Sequence, residues 1–172
     1  MADSNIYLIG PRSCGKTSVG RVLAKRLGRR FADTDHIVVR ATGMEIADYV
    51  GQNDWESFRE KESEALQEVA SDGGLVVGCG GGVVLREENR SLLAEGVTLY
   101  LQVSPDELVR RLSHDPNEAQ RPSLTGRAIA DEVRDVLAER EALYLECADI
   151  VLQQGSPDEI VEQAMQELER LF

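Results

Sequence analysis

Residues 10 to 17 form the most chemically informative segment of the chain and read Gly-Pro-Arg-Ser-Cys-Gly-Lys-Thr. Glycines let successive backbone N–H groups point at phosphate oxygens, and the N-terminus of a following helix adds positive potential. The lysine of such a loop bridges the β- and γ-phosphates of a nucleotide, and the threonine hydroxyl binds Mg²⁺. The segment lies between an apolar run at 5–9 and a helical pattern. That context predicts a nucleotide site rather than a glycine-rich turn.

The predicted nucleotide contacts lie within this loop or at the start of its helix: Arg12, Ser13, Cys14, Gly15, Lys16 and Thr17. Cys14 suggests a further hypothesis, that alkylation of its thiol blocks nucleotide binding. The alternative is that this position only requires a small side chain.

Two carboxylates follow the second candidate strand. Asp33 and Asp35 are two residues apart, and they point the same way if the strand at 31–33 continues through them. Like charges this close are unfavourable unless a cation lies beside them, and Mg²⁺ with its waters would serve. One carboxylate could then serve the metal while the other accepts a hydroxyl proton. A solvated strand end is the alternative.

Two arginines are candidates for binding an anionic acceptor. Arg59 borders the apolar stripe of a predicted helix over 54–70, with Glu62 one turn on to orient it, although a surface arginine fits the same pattern. Arg140 lies on the apolar face of a predicted helix over 128–144. A charge on an inward face needs an anionic partner, which is either an internal acid or a bound carboxylate.

Two loops complete the candidate site. Gly80, Gly81 and Gly82 follow a buried strand and indicate either close backbone approach to a ligand or a flexible turn. The polar stretch at 114–126 is long for a compact domain, so it is either a lid or disordered. Within it, Arg121 precedes a proline and could swing over the phosphates as a closing cation.

The elements that position these residues alternate between strands and helices. Candidate strands lie at 5–9, 31–33, 75–79, 97–102 and 149–152. Ser104 and Ser156 each begin a helix, with a proline next and a glutamate three residues on. The alternation predicts a single domain over 1–172 with a three-layer α/β fold. Its sheet is parallel, and ligands bind at the carboxyl ends of the strands.

Composition limits the class of protein. The 172 residues carry 19 basic and 31 acidic side chains, and the net charge of −12 disfavours binding to nucleic acid or to an anionic membrane. Three cysteines without a C-x-x-C pair fit a reducing compartment. Because the chain shows neither a signal-peptide pattern nor an apolar run of about 20 residues, we expect it to be soluble and cytoplasmic.

Taken together, these motifs resemble those of shikimate kinases. The resemblance rests on six segments spread over nearly the whole chain: 10–17, Asp33-Thr-Asp35, Phe58-Arg59 with Glu62, 80–82, Arg121-Pro-x-Leu124, and Glu139-Arg140 with Tyr144. It implies transfer of a phosphoryl group from ATP, with Mg²⁺, to the 3-hydroxyl of shikimate in aromatic amino-acid biosynthesis. It also implies a nucleoside-monophosphate-kinase-like P-loop fold, with a five-stranded parallel sheet of order 2-3-1-4-5, in a monomer with a lid.

The resemblance implies roles on the nucleotide side of the site. Lys16 and Arg121 would contact the phosphates, and Arg111 would lie against the adenine. Thr17 would bind Mg²⁺ directly, and Asp33 would reach the ion through water.

On the acceptor side, the resemblance implies that Asp35 binds the shikimate hydroxyls and acts as the base. Arg59, Arg140 and the Gly81 backbone would hold the shikimate carboxylate, with Arg12 at its border. The chain departs from the family pattern just before the glycine triplet, where Cys79 replaces the more common threonine.

Three other function classes fit parts of the sequence. A gluconokinase-like sugar-acid kinase would share the phosphate loop and the fold but would need a different acceptor pocket. A GTPase-type switch is disfavoured because the chain has no Asn-Lys-x-Asp segment to read guanine. A nucleotide-binding module without catalysis would show no turnover.

Overall fold

The computed structural model describes residues 4–114 and 123–171. In this part of the chain, five strands form one sheet: β1 (Ile6–Ile9), β2 (Phe31–Asp33), β3 (Val76–Gly78), β4 (Val97–Gln102) and β5 (Ile150–Gln153). Their spatial order is β2-β3-β1-β4-β5, and every neighbouring pair is parallel. The predicted strand order is therefore confirmed.

Helices connect the strands and cover the sheet. They are α1 (Lys16–Leu27), α2 (Thr34–Thr42), α3 (Ile46–Gln52), α4 (Trp55–Asp72), α5 (Glu87–Leu93), α6 (Pro105–His114), α7 (Ile129–Cys147) and α8 (Pro157–Leu171), with a 3-10 turn at Val83–Leu85. Helix α1 packs against α8, α6 against α7, and α2 against α4. Every residue of β1 and β3 is buried, as expected when helices cover both faces of a parallel sheet.

Two helices begin at the predicted serine caps. The backbone N–H of Glu159 donates to Ser156 Oγ at 3.3 Å, and the backbone N–H of Ser156 donates to Glu159 Oε2 at 2.7 Å, which completes a capping box. The N–H of Glu107 donates to Ser104 Oγ at 3.3 Å in the same way. These caps satisfy N–H groups that would otherwise have no partner in the first helical turn.

The strand register brings three chain segments to one edge of the sheet. Gly78 on β3 pairs with Leu8 on β1 and with Asp33 on β2. All three strands run in the same direction, so the segments that follow them leave the sheet side by side. This alignment places the phosphate loop, the aspartates and the glycine triplet around a common space, as the α/β rule for ligand sites predicts.

The prediction that a continuing strand carries both aspartates is wrong. Strand β2 ends at Asp33, and helix α2 begins at the next residue. Asp33 caps that helix, because its Oδ1 accepts the backbone N–H groups of Asp35 at 2.9 Å and His36 at 3.3 Å. Aspartate is a preferred N-cap residue, and the cap replaces the strand geometry. Asp35 therefore belongs to the first turn of α2.

The predicted lid at 114–126 is only partly described. Residues 115–122, including Arg121, lie outside the described residues, and α6 ends at His114. Residues 123–126 form no helix or strand and are tied to α7, since Ser123 Oγ and the Thr125 N–H each donate to Glu132 Oε1 at 2.7 Å. Within 4–114 and 123–171, no helix combines the length and the apolar character needed to cross a bilayer.

Candidate active site

The phosphate loop forms one wall of a cleft of about 420 Å³. Its backbone turns through positive φ angles at Gly10 (145°), Ser13 (59°) and Gly15 (103°), and α1 begins directly afterwards at Lys16. The Lys16 ammonium group donates to the carbonyls of Gly10 at 2.8 Å and Pro11 at 2.7 Å. The loop thus presents a helix N-terminus and a held lysine to the same space, which suits a bound polyphosphate.

Cys14 is fully buried beneath this loop. A Cβ atom on Gly10 would lie 2.8 Å from Cys14 Sγ, so the thiol packs against the loop backbone and only glycine fits opposite it. Burial of the thiol argues against the hypothesis that alkylation of Cys14 blocks nucleotide binding, and that hypothesis stays a prediction for an alkylation experiment. The alternative, a small side chain required by packing, agrees with the structure.

Thr17 and Asp33 lie side by side in the wall of this cleft. The Thr17 hydroxyl donates to Asp33 Oδ2 at 3.2 Å. Among the described residues, no cluster of three or more histidine, cysteine or acidic side chains could hold a metal ion. Two hard oxygen ligands are nevertheless the kind of incomplete set that suits Mg²⁺, which keeps several waters and binds substrate phosphates.

Arg111 reaches the phosphate loop from α6. Its Nη1 donates to the Ser13 carbonyl at 3.2 Å, and its Nε donates to Glu107 Oε1 at 2.8 Å. Hydrogen bonds from Arg110 and Arg111 lower the pKa of Glu107 to about 2, so this carboxylate stays charged at neutral pH. Arg111 thereby lines the same cleft as the loop, next to Pro157 and Ile160 at the start of α8.

A second, smaller cleft adjoins the first and is strongly charged. Its lining includes all the residues predicted to bind an acceptor, namely Arg12, Asp35, Arg59, Gly81 and Arg140. Asp35, Gly81 and Arg12 line both clefts. The two clefts are therefore adjacent, and Asp35 belongs to the lining of each.

Arg59 is held inside this second cleft by a buried acid. Its side chain is only 12% exposed, and its Nη1 lies 2.9 Å from Glu62 Oε1. The prediction that Glu62 orients Arg59 is confirmed, and the alternative of a surface arginine is wrong. Burial raises the pKa of the Glu62 carboxyl, and the charge of Arg59 opposes that rise.

The glycine triplet accommodates these two side chains. A Cβ atom on Gly80 would collide with Glu62 Oε2, and one on Gly82 would collide with the Arg59 guanidinium. The close approach predicted from the triplet is therefore made to protein side chains. Gly81 differs, since a Cβ there would be in ordinary contact at 3.7 Å from Arg140 Nη1.

Arg140 is 8% exposed on α7, as its place on the apolar face predicted. Its Nε has no hydrogen-bond partner among the described residues. Glu62 is a nearby acid, since the charge of Arg140 lowers its pKa against the effect of burial, but its carboxylate accepts a hydrogen bond from Arg59. Arg140 also lines the second cleft, and a guanidinium group there suits a bound carboxylate.

No sequence pattern singled out Trp55, but the structure gives it a place in the site. Its ring lies 5.3 Å from the Arg59 guanidinium and 5.9 Å from that of Arg12, and it lines the second cleft. Aromatic faces attract guanidinium groups, so the indole holds both cations near each other. The sequence signal that could have identified Trp55 is its position at the first end of the apolar stripe on this helix, one turn before Arg59.

Cys79 lies at the base of the first cleft and is buried. Burial raises the pKa of its thiol, so the sulfur is uncharged at neutral pH. A thiol donates a hydrogen bond only weakly, so this side chain cannot do the work of a hydroxyl toward the phosphates.

Comparisons with known proteins agree with this geometry. The family model described as shikimate kinase matches residues 12–169. The shikimate kinase of Nitratidesulfovibrio vulgaris is 50% identical over 153 residues, covering 88% of this chain and 87% of that protein. Shikimate kinase 2 of Pectobacterium atrosepticum is 48% identical over 158 residues and 91% of each chain.

Solved structures show the same similarity. A shikimate kinase from Acinetobacter baumannii in complex with shikimate superposes with a TM-score of 0.91 at 34% identity, covering 97% of this chain and 93% of that one. A gluconokinase from Sinorhizobium meliloti has a TM-score of 0.60 at 20% identity, which shows a shared fold alone. With the family model matching almost the whole length and close relatives covering most of it, this chain belongs to the shikimate kinase family.

Proposed function

We propose that this protein transfers the γ-phosphoryl group of ATP to the 3-hydroxyl of shikimate, giving shikimate 3-phosphate in the route to aromatic amino acids. The observation that carries the proposal is the junction of two clefts, one built on a phosphate loop and the other lined by arginines. Asp35 borders both. Shikimate is a carboxylate with adjacent hydroxyls, so its acid would face Arg59 and Arg140 while a hydroxyl faces the phosphate side.

On the nucleotide side, loop N–H groups from Arg12 to Thr17 would bind the phosphates, and Lys16 would neutralise charge between the β- and γ-phosphates. Its present hydrogen bonds to two loop carbonyls keep the ammonium group at the mouth of the loop. Arg111 would lie against the adenine, because it lines the cleft beyond the loop. Arg121, outside the described residues, would approach the phosphates from the lid at 114–126.

On the acceptor side, Asp35 would accept the proton of the attacking hydroxyl. Arg59 and Arg140 would bind the carboxylate, and charge-assisted guanidinium pairs of this kind are among the strongest polar contacts. The Gly81 backbone would complete this pocket, and Arg12 would border it. Phosphoryl transfer depends mainly on positioning and charge stabilisation, which these groups supply without a covalent intermediate.

An assay of ADP release with shikimate or gluconate as the acceptor tests the proposal directly. We expect turnover with shikimate and none above background with gluconate. Calorimetric titration of shikimate, with and without ADP and Mg²⁺, provides a second test that does not depend on turnover. Turnover with gluconate alone would assign the site to a sugar acid instead, and ATP binding without any turnover would indicate a binding module.

Mg²⁺ is the proposed metal, with Thr17 as a direct ligand and Asp33 acting through water. When bound, it would neutralise charge on the phosphates during transfer. We expect EDTA to abolish turnover and added Mg²⁺ to restore it. Thr17→Val should raise the Mg²⁺ concentration needed for half-maximal rate by about tenfold or more, because it removes the oxygen proposed to bind the ion directly. An unchanged Mg²⁺ dependence would contradict this ligand assignment.

Arg140→Ala should raise the KM for shikimate by about 10- to 150-fold, since it removes a charged hydrogen bond worth roughly 1.5–3 kcal/mol. The KM for ATP should change little. Arg134→Ala is the matched control, because Arg134 lies exposed on the same helix and pairs with Asp106 at the surface. Steady-state kinetics on both variants check the prediction, and equal rises in the two KM values would point to a folding role for Arg140.

We further propose that the chain acts as a single catalytic domain, as a monomer, and in the cytoplasm. In support, the assigned residues that the structure describes line two clefts of one chain, and Arg12, Asp35 and Gly81 line both. Its three cysteines are all unpaired, which suits a reducing compartment. Analytical ultracentrifugation of the full chain tests the oligomeric state.

A further inference from the structure

Tyr144 on α7 is a buried residue that the assignments above do not use. Its ring is fully buried and stacks on Tyr100 of β4, with ring centroids 5.1 Å apart and planes at 23°. The Tyr100 hydroxyl points elsewhere and lies 3.1 Å from Glu141 Oε1. The stack therefore positions the ring of Tyr144 without help from the Tyr144 hydroxyl. That hydroxyl makes a separate contact.

That hydroxyl donates to the carbonyl oxygen of Gly81 at 2.5 Å. Burial raises the pKa of the Tyr144 phenol, so it remains a donor at neutral pH. The contact joins residues 63 positions apart in the chain and connects the core of α7 to the middle of the glycine triplet.

This hydrogen bond fixes a backbone that glycine would otherwise leave free. The peptide before Gly81 is held because the Gly80 carbonyl accepts the Val83 N–H at 3.1 Å. The peptide after Gly81 is held because its carbonyl accepts the Tyr144 hydroxyl. Peptide units are planar, so holding both of them sets the two dihedral angles of Gly81. Glycine has no side chain to restrict those angles itself.

The position of Gly81 matters because it borders the acceptor pocket. A Cβ atom at Gly81 would lie 3.7 Å from Arg140 Nη1 and 3.7 Å from the backbone nitrogen of Arg12. Arg140 also lies one helical turn before Tyr144, and both its charge and its side-chain hydrogen bond to the phenol lower the phenol pKa against the effect of burial. One hydroxyl thus lies beside both carboxylate-binding groups of the pocket, the Gly81 backbone and the Arg140 guanidinium.

We propose that Tyr144 is a positioning residue for acceptor binding, whose hydroxyl holds Gly81 in register with Arg140 so that the pair receives the acceptor carboxylate. This inference rests on the proposed function. A purely structural tyrosine would fill the core equally well, so the test must separate the hydroxyl from the ring.

Tyr144→Phe keeps the ring and its stack and removes one oxygen atom. It leaves the buried Gly81 carbonyl without its partner, so we expect the KM for shikimate to rise by about tenfold. The KM for ATP should change less, by no more than about twofold, because the lost hydrogen bond is made to Gly81 and not to the phosphate loop itself. Tyr100→Phe is the matched control, since it removes the other hydroxyl of the same stack and should leave the shikimate KM unchanged.

The methyl ester of shikimate, which lacks the charged carboxylate, gives a sharper comparison. If Tyr144 acts through the carboxylate-binding groups, Tyr144→Phe should change the KM for the ester by less than about twofold. Nuclear magnetic resonance supplies a readout independent of turnover, because the amide signals of Gly81 and Gly82 should shift in Tyr144→Phe and not in Tyr100→Phe. Thermal unfolding of both variants controls for folding.

Equal effects of the two phenylalanine variants, equal effects on shikimate and its ester, or unmoved glycine signals would each overturn the role of Tyr144. The unmodified enzyme separates this result from failure of the proposed function. If the parent protein does not phosphorylate shikimate, the proposed function fails, and the premise of the Tyr144 role fails with it. If the parent protein is active but Tyr144→Phe does not selectively raise the KM for shikimate, the Tyr144 role alone is refuted.

Discussion

Lys16→Met lowers kcat by about 10³-fold or more in the expected result, because it removes a positive charge that stabilises the phosphates in the transition state. Methionine keeps much of the length and apolar character of the lysine stem, so packing at the start of α1 changes little. Steady-state ADP release measures kcat, and calorimetry with ATP and Mg²⁺ reports whether the nucleotide still binds.

Lys25→Met is the matched control for this variant. Lys25 is exposed in the last turn of the same helix, so its loss tests for a general effect of removing a lysine from α1. We expect near-parent activity from the control. If Lys16→Met keeps more than a tenth of the parent kcat, its lost stabilisation is below about 1.4 kcal/mol, which contradicts the assigned role.

Asp35→Asn is expected to lower kcat by about 10²–10⁴-fold, the usual contribution of a positioned general base. Asparagine has nearly the same shape and can still hydrogen-bond to a hydroxyl, but it cannot accept the proton. The dissociation constant for shikimate should therefore change by less than about tenfold, because only one hydrogen-bonded contact is altered. Activity assays and calorimetric titration together separate the two effects.

The control for Asp35→Asn is Asp48→Asn, which makes the same change at an exposed position in the first turn of α3. It should leave both kcat and shikimate binding at the parent values. A variant at position 35 that keeps its kcat but loses shikimate affinity would make Asp35 a binding residue and not the base. A loss of kcat accompanied by a clear fall in the melting temperature would instead point to a structural role.

Some features were predictable because their causes are local. The phosphate loop depends on a run of eight residues between a strand and a helix, and all of these are adjacent in the chain. Ser104 and Ser156 cap helices through residues three positions away. The Arg59–Glu62 pair follows from the spacing of one helical turn. The strand order followed from family resemblance and not from any of these local signals.

Other features could not be predicted, either because the interacting residues are distant in sequence or because two local structures compete for the same residue. The extension of β2 through Asp35 failed because the Asp33 side chain caps α2, and a cap ends strand geometry at that residue. For Cys14 the sequence left open a reactive thiol or only a small side chain, and its burial against Gly10 favours the small side chain. Periodicity did not single out Trp55, because an apolar stripe looks the same whether a residue on it packs in the core or lines a polar cleft.

The glycine triplet is a further case in which the interacting groups are distant in sequence. Its sequence indicated that something approaches the backbone closely, but a pattern of glycines cannot name the approaching group. Helix α4 supplies it, because Glu62 and Arg59 occupy the space where side chains at 80 and 82 would lie. The hydroxyl of Tyr144 likewise comes from α7, 63 residues further along the chain.

The amino-acid sequence by itself determined the chemistry of the phosphate side, since a phosphate loop is made from consecutive backbone groups and a helix N-terminus. Only the tertiary structure decided the geometry of the acceptor side. Its residues come from α2, α4, α7 and the loop after β3. They meet because parallel strands bring their carboxyl ends to one edge, and burial then removes the water that would otherwise separate Arg59 from Glu62.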